Sequence, residues 1–539
     1  MMYSMKRVAM FLGAAALALQ AQAQDVNNGI KMYNYKKYQS AEQALSALAA
    51  SNAQANYYLG LTYLAEGDVA KASATFSKYP DDVANMSGMI RVAFASKDVA
   101  KGTQLAKDLA AKSKKKEWIQ EKYAADAITY TDGGDYRLAE GWYKDALTKN
   151  DNAELHIGLG DASRHIPGGG GQAMDNYESV TSKDAKNSLA YSRIGDLWYE
   201  ARNYTNALES YGKAKDADAS NPLPYKALAD AYTRSGRYKQ ALENAQRYIQ
   251  LSDNTFKDRM DYMLTLYLAQ SYCDAAKTAQ DMTKEQLSAE DKAQVYGVLG
   301  FSQAECGDSI AAVKNIRVYL NTQRADKVKP GDYLAMGKLY MKLDQLDSAG
   351  YYYQKGISGD TARNKTDVYR QIADAFKAKK EYCKSAEWYT NLVKANPETQ
   401  PADYVWRGIM YYYCKSYPAA LDAFGDFATK YPDQPTATYW QGRTAAAIDS
   451  EATSGGGIPY FTKWLEKVGG DSYEKKNDLK IAYEYMLYYF YNKKDKENIA
   501  LYKEKIKAID PNDRMLRELD EMDKAPAGGA KKKPAPAKK

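Results

Sequence analysis

The strongest constraint on the fold is a motif written twice in register between Tyr191 and Leu251. Tyr191, Gly195, Trp198, Ala207, Tyr211 and Ala214 are answered by Tyr225, Ala229, Tyr232, Ala241, Ala245 and Tyr248, each 34 residues later. A fixed period of that length means one supersecondary unit stacked on copies of itself. Within each copy the first three positions fall at i, i+4 and i+7, one face of a helix. A break follows at Arg202-Asn203 or Ser235-Gly236, and a second helical-period set begins at Ala207 or Ala241. The small residues Gly195, Ala229, Ala207 and Ala241 stand where two helices must approach closely, with large rings filling the space beside them. Such a helix–turn–helix unit cannot bury its apolar face alone and needs neighbours.

These residues resemble the tetratricopeptide repeat, whose pattern runs W-x2-L-G-x2-Y, then A-x3-F, then a closing proline. Tyr mostly replaces the leading Trp, one large ring for another. Leu59-Gly60, Tyr63, Gly67, Ala72 and Phe76 match the pattern closely. Leu299-Gly300, Gly307 and Ala312 repeat it, as do Gly408, Tyr411, Ala420, Phe424 and Pro432. The resemblance implies an all-α fold, a right-handed α-solenoid of tandem helix pairs. It also implies that the first helix of each pair lines a concave groove.

Taken in order, the chain opens with Lys6 and Arg7, an apolar run from Val8 to Leu19, and the small-x-small site Ala21-Gln22-Ala23. This pattern predicts a secretory signal peptide over residues 1–23, cleaved after Ala23. No cysteine follows the site, so a lipoprotein is not expected. No later stretch approaches about 18 uninterrupted apolar residues, so no transmembrane segment is expected. Gly29, Met32, Tyr38, Ala41 and Leu45 fit a first repeat, and Val83 to Ser113 a degenerate third. An expanded turn is expected from His165 to Gly171. The leading Tyr recurs at Tyr262, Tyr296, Tyr333, Tyr369, Tyr404 and Tyr439, an insertion falls at Ser454 to Gly457, and Tyr483 opens the last unit, closing at Asp510-Pro511. About fourteen helix pairs fill the body from residue 24 to residue 524, leaving no block large enough for a separate catalytic domain.

The tail, residues 525–539, contains only Ala, Pro, Gly and Lys, which cannot bury a core and is expected to be disordered. It also accounts for the basic balance. Removing Lys6 and Arg7 lowers the net charge from +7 to +5, and the five tail lysines account for the remainder. The body is therefore near neutral, and a general nucleic-acid-binding surface is not indicated. Envelope contact through the basic tail is the interaction it suggests.

Chemistry-bearing residues are few. His156 and His165 are the only histidines, and no further ligands stand at metal spacing, so no metal is expected. The Gly168–Gly171 run lacks the Gly-Lys-Ser/Thr of a phosphate loop, and Asp and Glu show no catalytic focus. Neither a cofactor nor an enzymatic activity is expected. The four cysteines are more informative. Cys306 and Cys414 each lie 10 places after their motif Tyr, Cys273 lies 11 after Tyr262 and Cys383 14 after Tyr369. All four fall near helix–helix turns along one edge. Pairing of neighbours, Cys273 with Cys306 and Cys383 with Cys414, is expected in an exported chain, the alternative being four unpaired thiols. A link across two repeats would exceed the reach of a disulfide.

Tyrosine is the compositional anomaly, 49 residues against 10 Phe. Most occupy packing positions. In the family the residues one and four places after the motif glycine tend to face the groove. That maps Tyr199, Asp230, Lys338, Asp374, Lys377, Tyr412, Tyr488 and Tyr491 as candidate groove residues, together with neighbours such as Leu61, Asp196 and Ile409. Tyr offers contact area with a polar handle, which suits recognition. The Lys and Asn set with which some members of the family clamp a C-terminal carboxylate is not recognisable. The expectation is a protein- or peptide-binding scaffold, periplasmic or secreted, in a bacterial cell envelope. The alternative is a carbohydrate- or peptidoglycan-binding protein using exposed Tyr and Trp.

Overall fold

The computed structural model describes residues 25–358 and 362–524. The signal peptide expected over residues 1–23 and the basic tail from residue 525 lie outside the described residues. Every regular element described is helical; two short 3-10 segments, Ala325–Lys327 and Gly470–Ser472, join the α-helices, and no strand occurs among the described residues. The helices fall into two compact units, the first ending at Asp308 and the second beginning at Ser309. The body read from sequence as one block is thus divided within a single helix–helix turn.

The first unit holds eight pairs, from helices 25–34 and Tyr38–Leu45 to helices Phe256–Leu268 and Tyr272–Met282, followed by Ala289–Glu305. The second opens with Ser309–Thr322 and holds five pairs, from Pro330–Lys342 and Leu346–Ile357 to Lys476–Lys493 and Lys496–Ile509. Counted along the chain, this matches the fourteen two-helix sets expected. One more helix, Arg514–Lys524, follows; its buried Met515, Leu516 and Leu519 join the last core cluster. The fold is an all-α repeat solenoid.

Several pairs are built by the same local device. Asp68 N donates to Tyr63 O at 2.8 Å, Asp98 N to Ala93 O at 3.0 Å, and Asn203 N to Trp198 O at 2.9 Å. The residue before each donor is left-handed: Gly67, Lys97 and Arg202 have φ of +83°, +64° and +58°. This is the Schellman closure of the first helix. The donor residue then caps the second helix. Asp68 accepts from Lys71 N at 2.9 Å, Asp98 from Lys101 N at 3.1 Å, and Asn203 from Asn206 N at 3.2 Å. One short segment therefore ends one helix and starts the next. The expanded turn is shorter than expected, because Gly170 and Gly171 already belong to helix Gly170–Lys183.

Between the two helices the motif glycine lies on a ring of its partner. A Cβ at Gly60 would sit 2.3 Å from Phe76 Cε1, at Gly160 2.4 Å from Tyr177 Cε1, at Gly195 2.5 Å from Tyr211 Cδ1, and at Gly408 2.4 Å from Phe424 Cε1. In four repeats an aspartate follows the small motif residue, and there the ring is Tyr. Tyr177 donates to Asp161 at 2.7 Å and Tyr211 to Asp196 at 2.9 Å. Tyr143 and Tyr389 likewise donate to Asp126 and Asp374, both at 2.6 Å. Where that residue is Leu61 or Ile409, the ring is Phe76 or Phe424. A buried hydroxyl needs an acceptor, so an aspartate at this position selects Tyr. This explains part of the tyrosine excess. The apolar contacts form successive clusters along each unit, as expected when each repeat touches mainly its neighbours.

Candidate functional site

In the first unit the first pair reaches across to the sixth and seventh. The Tyr35 hydroxyl donates to Asp218 and lies 3.0 Å from Ser220 Oγ. Ser40 N donates to Asp253 Oδ2 at 3.2 Å, and Ser40 Oγ to Asp253 Oδ1 at 2.5 Å. These contacts close the concave face of this unit around a chamber of about 1710 Å³, lined by residues from Tyr33 to Asp230.

The first helices of successive pairs supply its polar lining. Lys122 bonds Asp126 at 3.1 Å and also pairs with Glu154. Arg193 pairs with Asp161, its Nη2 donating to Oδ2 at 3.0 Å and its Nε lying 2.7 Å from Oδ1 without hydrogen-bond alignment. Lys226 pairs with Asp261 at 2.9 Å. Asp161 also accepts from Tyr130 at 2.9 Å, so one carboxylate ties two repeats to the lining. Tyr33, Tyr57 and Tyr58 interlock, with ring centroids 5.4 Å apart for Tyr33–Tyr58 and 5.3 Å for Tyr57–Tyr58. Burial pushes the Tyr33 hydroxyl up to about 12, so these rings act as neutral walls with donors at their tips. Lys36, left-handed at φ +55° in the first turn, also lines the chamber. Burial, and then repulsion from Arg193, lowers its ammonium below the usual value.

Tyr199 and Asp230 of the candidate groove residues lie here, with their neighbours Leu61 and Asp196. Tyr199 lines the chamber and accepts from Arg234 Nε at 3.3 Å. Asp230 opens to the lumen, yet it is walled by protein, and this burial, aided by Asp261, raises its carboxyl above the ordinary value. The position where other repeats place a tyrosine donor is Ala245 in this one. Asp230 is therefore left without the hydrogen bond that Asp161 and Asp196 receive.

The other candidates belong to the second unit. Lys377 bonds Asp374 at 2.5 Å and the Tyr389 hydroxyl at 3.1 Å, and its ammonium lies 4.0 Å from the Trp406 ring centre. Tyr412 is half-buried, edge-on to Trp440 at 5.3 Å, with the Arg443 guanidinium over both rings. Lys338 is exposed. Tyr488 is not a groove residue: it is fully buried and donates to Glu451 at 3.2 Å, and Tyr491 packs half-buried against the same cluster. The cause is the insertion before Gly457, which folds over helix Lys476–Lys493. Asn492 donates to Glu451 O at 2.7 Å, Gly457 N to the Tyr485 hydroxyl at 3.2 Å, and Tyr485 to Asp449 at 2.9 Å. From Ala482 to Tyr488 every residue of that helix is buried.

The structure joins Cys273 to Cys306 and Cys383 to Cys414, with Cα atoms 5.6 and 5.0 Å apart. Among the described residues no group of three or more His, Cys, Asp or Glu side chains is placed to hold a metal, and no helix is long and apolar enough to cross a membrane. The spacing rule missed Lys122, Arg193 and Lys226, which stand two or three places before the motif position, and Arg91, which stands one place after Ile90 in the repeat whose motif glycine is replaced. Their only sequence signal was a long cation inside an apolar helix face.

Comparison with known proteins places this repeat in a family. Residues 36–86 match the tetratricopeptide repeat family model. No curated protein matches the chain. Solved structures similar to it include the C-terminal part of a repeat-containing protein from Cytophaga hutchinsonii, 25% identical over 48% of this chain and 98% of that one, TM-score 0.30. A tetratricopeptide repeat protein from Parabacteroides merdae is 18% identical over 44% of this chain and 93% of that one, TM-score 0.30. A Pseudomonas aeruginosa protein, pilF, is 20% identical over 40% and 94%, TM-score 0.28. With the family match in the first repeats and the same glycine-on-ring packing in both units, this chain is similar to tetratricopeptide repeat proteins.

Proposed function

We propose that this protein is a non-enzymatic scaffold that binds other proteins through extended segments received on the concave faces of its repeats. Proteins of this fold generally mediate protein–protein interactions. The observation that carries the reading is the chamber of the first unit, which combines interlocked tyrosines with charged side chains from five successive repeats, Arg91 to Asp230. Aromatic walls supply contact area, and the paired charges supply register along a bound backbone. Export to the envelope of a bacterium follows from the leader-like residues 1–23, and the paired cysteines fit an oxidising compartment.

A glycan-binding reading finds less support. Sugar stacking needs open ring faces, whereas Lys377 covers Trp406 and Arg443 covers Trp440. The test is site-specific photocrosslinking in the native cell. A photoreactive residue at Tyr199, inside the chamber, is expected to give discrete protein adducts, and one at the exposed Glu209 is not. Equal labelling from both sites, or none from Tyr199, refutes the reading. Sequencing of the exported protein's N-terminus tests cleavage after Ala23.

A further inference from the structure

Arg91 lies three residues beyond Gly88 on helix Val83–Ala95. A Cβ at Gly88 would meet Phe76 Cδ1 at 2.3 Å, so the helix is pressed onto the preceding pair and cannot roll. Arg91 lines the chamber and is only 7% exposed. Its Nε is buried without a hydrogen-bond partner, and Asp126, the carboxylate whose charge acts on it, is held by Lys122 instead of bridging to it. Three cations of the same lining differ: Lys122, Arg193 and Lys226 each hold an aspartate. A guanidinium withdrawn from water without a salt bridge is a costly arrangement, and such groups are ordinarily paired.

We propose that Arg91 is the recognition residue for an acidic side chain of a peptide segment bound in the first-unit chamber. The guanidinium stands 5.3 Å from the Tyr130 ring centre. Ring stacking of this kind suits Arg and leaves its in-plane donors for a carboxylate, which the planar fork binds in bidentate fashion. Tyr33 and Tyr57 flank the same space, so a carboxylate seated there is shielded from water and its charge pair is weakly screened. A polyanion such as nucleic acid does not fit, because Asp126, Glu154, Asp196 and Asp230 share the lining. A neutral or mixed-charge segment carrying one acidic residue does, and the unpartnered Asp230 would accept from its donors.

The inference rests on reading the chamber as a peptide-binding surface. The test uses the full chain and saturation-transfer NMR titrations with three peptides: Ac-Gly-Glu-Gly-NH2, Ac-Gly-Gln-Gly-NH2 and Ac-Gly-Gly-Gly-OH. The Glu peptide is expected to bind at least tenfold more tightly than the Gln peptide. Arg91→Met should abolish that difference, and Arg91→Lys should restore part of it. The Glu/Gln comparison on the unaltered protein stands even if Arg91→Met fails to fold. Equal binding of the Glu and Gln peptides, undiminished discrimination in Arg91→Met, or binding of the C-terminal carboxylate peptide alone overturns the proposal. Crosslinks from Tyr199 that persist alongside such a failure would remove the role of Arg91 and leave the scaffold reading standing.

Discussion

Replacing Gly195 by Ala tests the central packing device, because two known effects oppose each other there. Gly195 lies inside helix Ser188–Glu200, where Ala is intrinsically favoured over Gly by about 1 kcal/mol. The added Cβ would sit 2.5 Å from both Cδ1 and Cε1 of Tyr211. Tyr211 is 3% exposed and its hydroxyl is tied to Asp196 at 2.9 Å, so the ring cannot swing aside. It must retreat by about 1 Å to reach ordinary carbon contact distance. Overpacking of this kind costs roughly 1–3 kcal/mol, and a strained or lost bond to a carboxylate adds about 1.5–3 kcal/mol. The steric side wins, and a net loss of about 1.5–5 kcal/mol is expected. Gly212, in the middle of helix Tyr204–Ala217, has nothing within 4 Å of its virtual Cβ. Gly212→Ala should therefore stabilise by about 0.5–1 kcal/mol. Urea unfolding followed by circular dichroism reads both signs. Hydrogen exchange of the Ser188–Ala217 amides localises them, since a repeat array need not unfold in one step. In a cycle with Tyr211→Ala, the Gly195→Ala loss should vanish. A midpoint that rises in Gly195→Ala as it does in Gly212→Ala would refute the reasoning.

Other predictions concern the turns, the cysteines and one buried acid. Lys97, at φ +64°, sits where an L-residue costs about 1 kcal/mol or more; Lys97→Gly should raise the unfolding midpoint, and a lower one would count against the turn geometry. Peptide mapping of oxidised protein without reductant should return Cys273–Cys306 and Cys383–Cys414, and reduction should lower stability by roughly 3–4 kcal/mol per loop in the chain-entropy model, the pairs being 33 and 31 residues apart. Four free thiols, or a Cys306–Cys383 peptide, would contradict this. Burial first, and then the neighbouring Asp513, pushes Glu484 from 4.5 up to about 7, despite Lys480 at 3.8 Å. Its folded-state value is raised, so the folded protein holds the extra proton between those values; its contribution to stability is full below pH 4.5 and falls as pH rises towards 7. Glu484→Gln should remove that slope from unfolding midpoints measured across the window, and an unchanged slope would exclude Glu484 as its source.

Much of this structure was legible in the sequence because repeat folding is local. Helical spacing, the break at Arg202-Asn203 and the Gly195–Tyr211 pairing each lie within one repeat, and a short-range pattern records them. The Asp-to-Tyr rule was also present, as Asp161 with Tyr177 against Leu61 with Phe76, though only the hydrogen bonds reveal its cause. What the tertiary structure alone decided is where the groove closes. Tyr35 meets Asp218 across 183 positions and Ser40 meets Asp253 across 213. No motif encodes such a contact, because it results from small rotations summed over successive repeats. That closure brings Arg91, Lys122, Arg193 and Lys226 around one chamber. In the second unit, the residues before Gly457 fold over the last pair and bury Tyr488, which the repeat register alone would leave open. Periodicity fixes what each repeat is, whereas accumulated curvature and one insertion decide which of its faces a partner can reach.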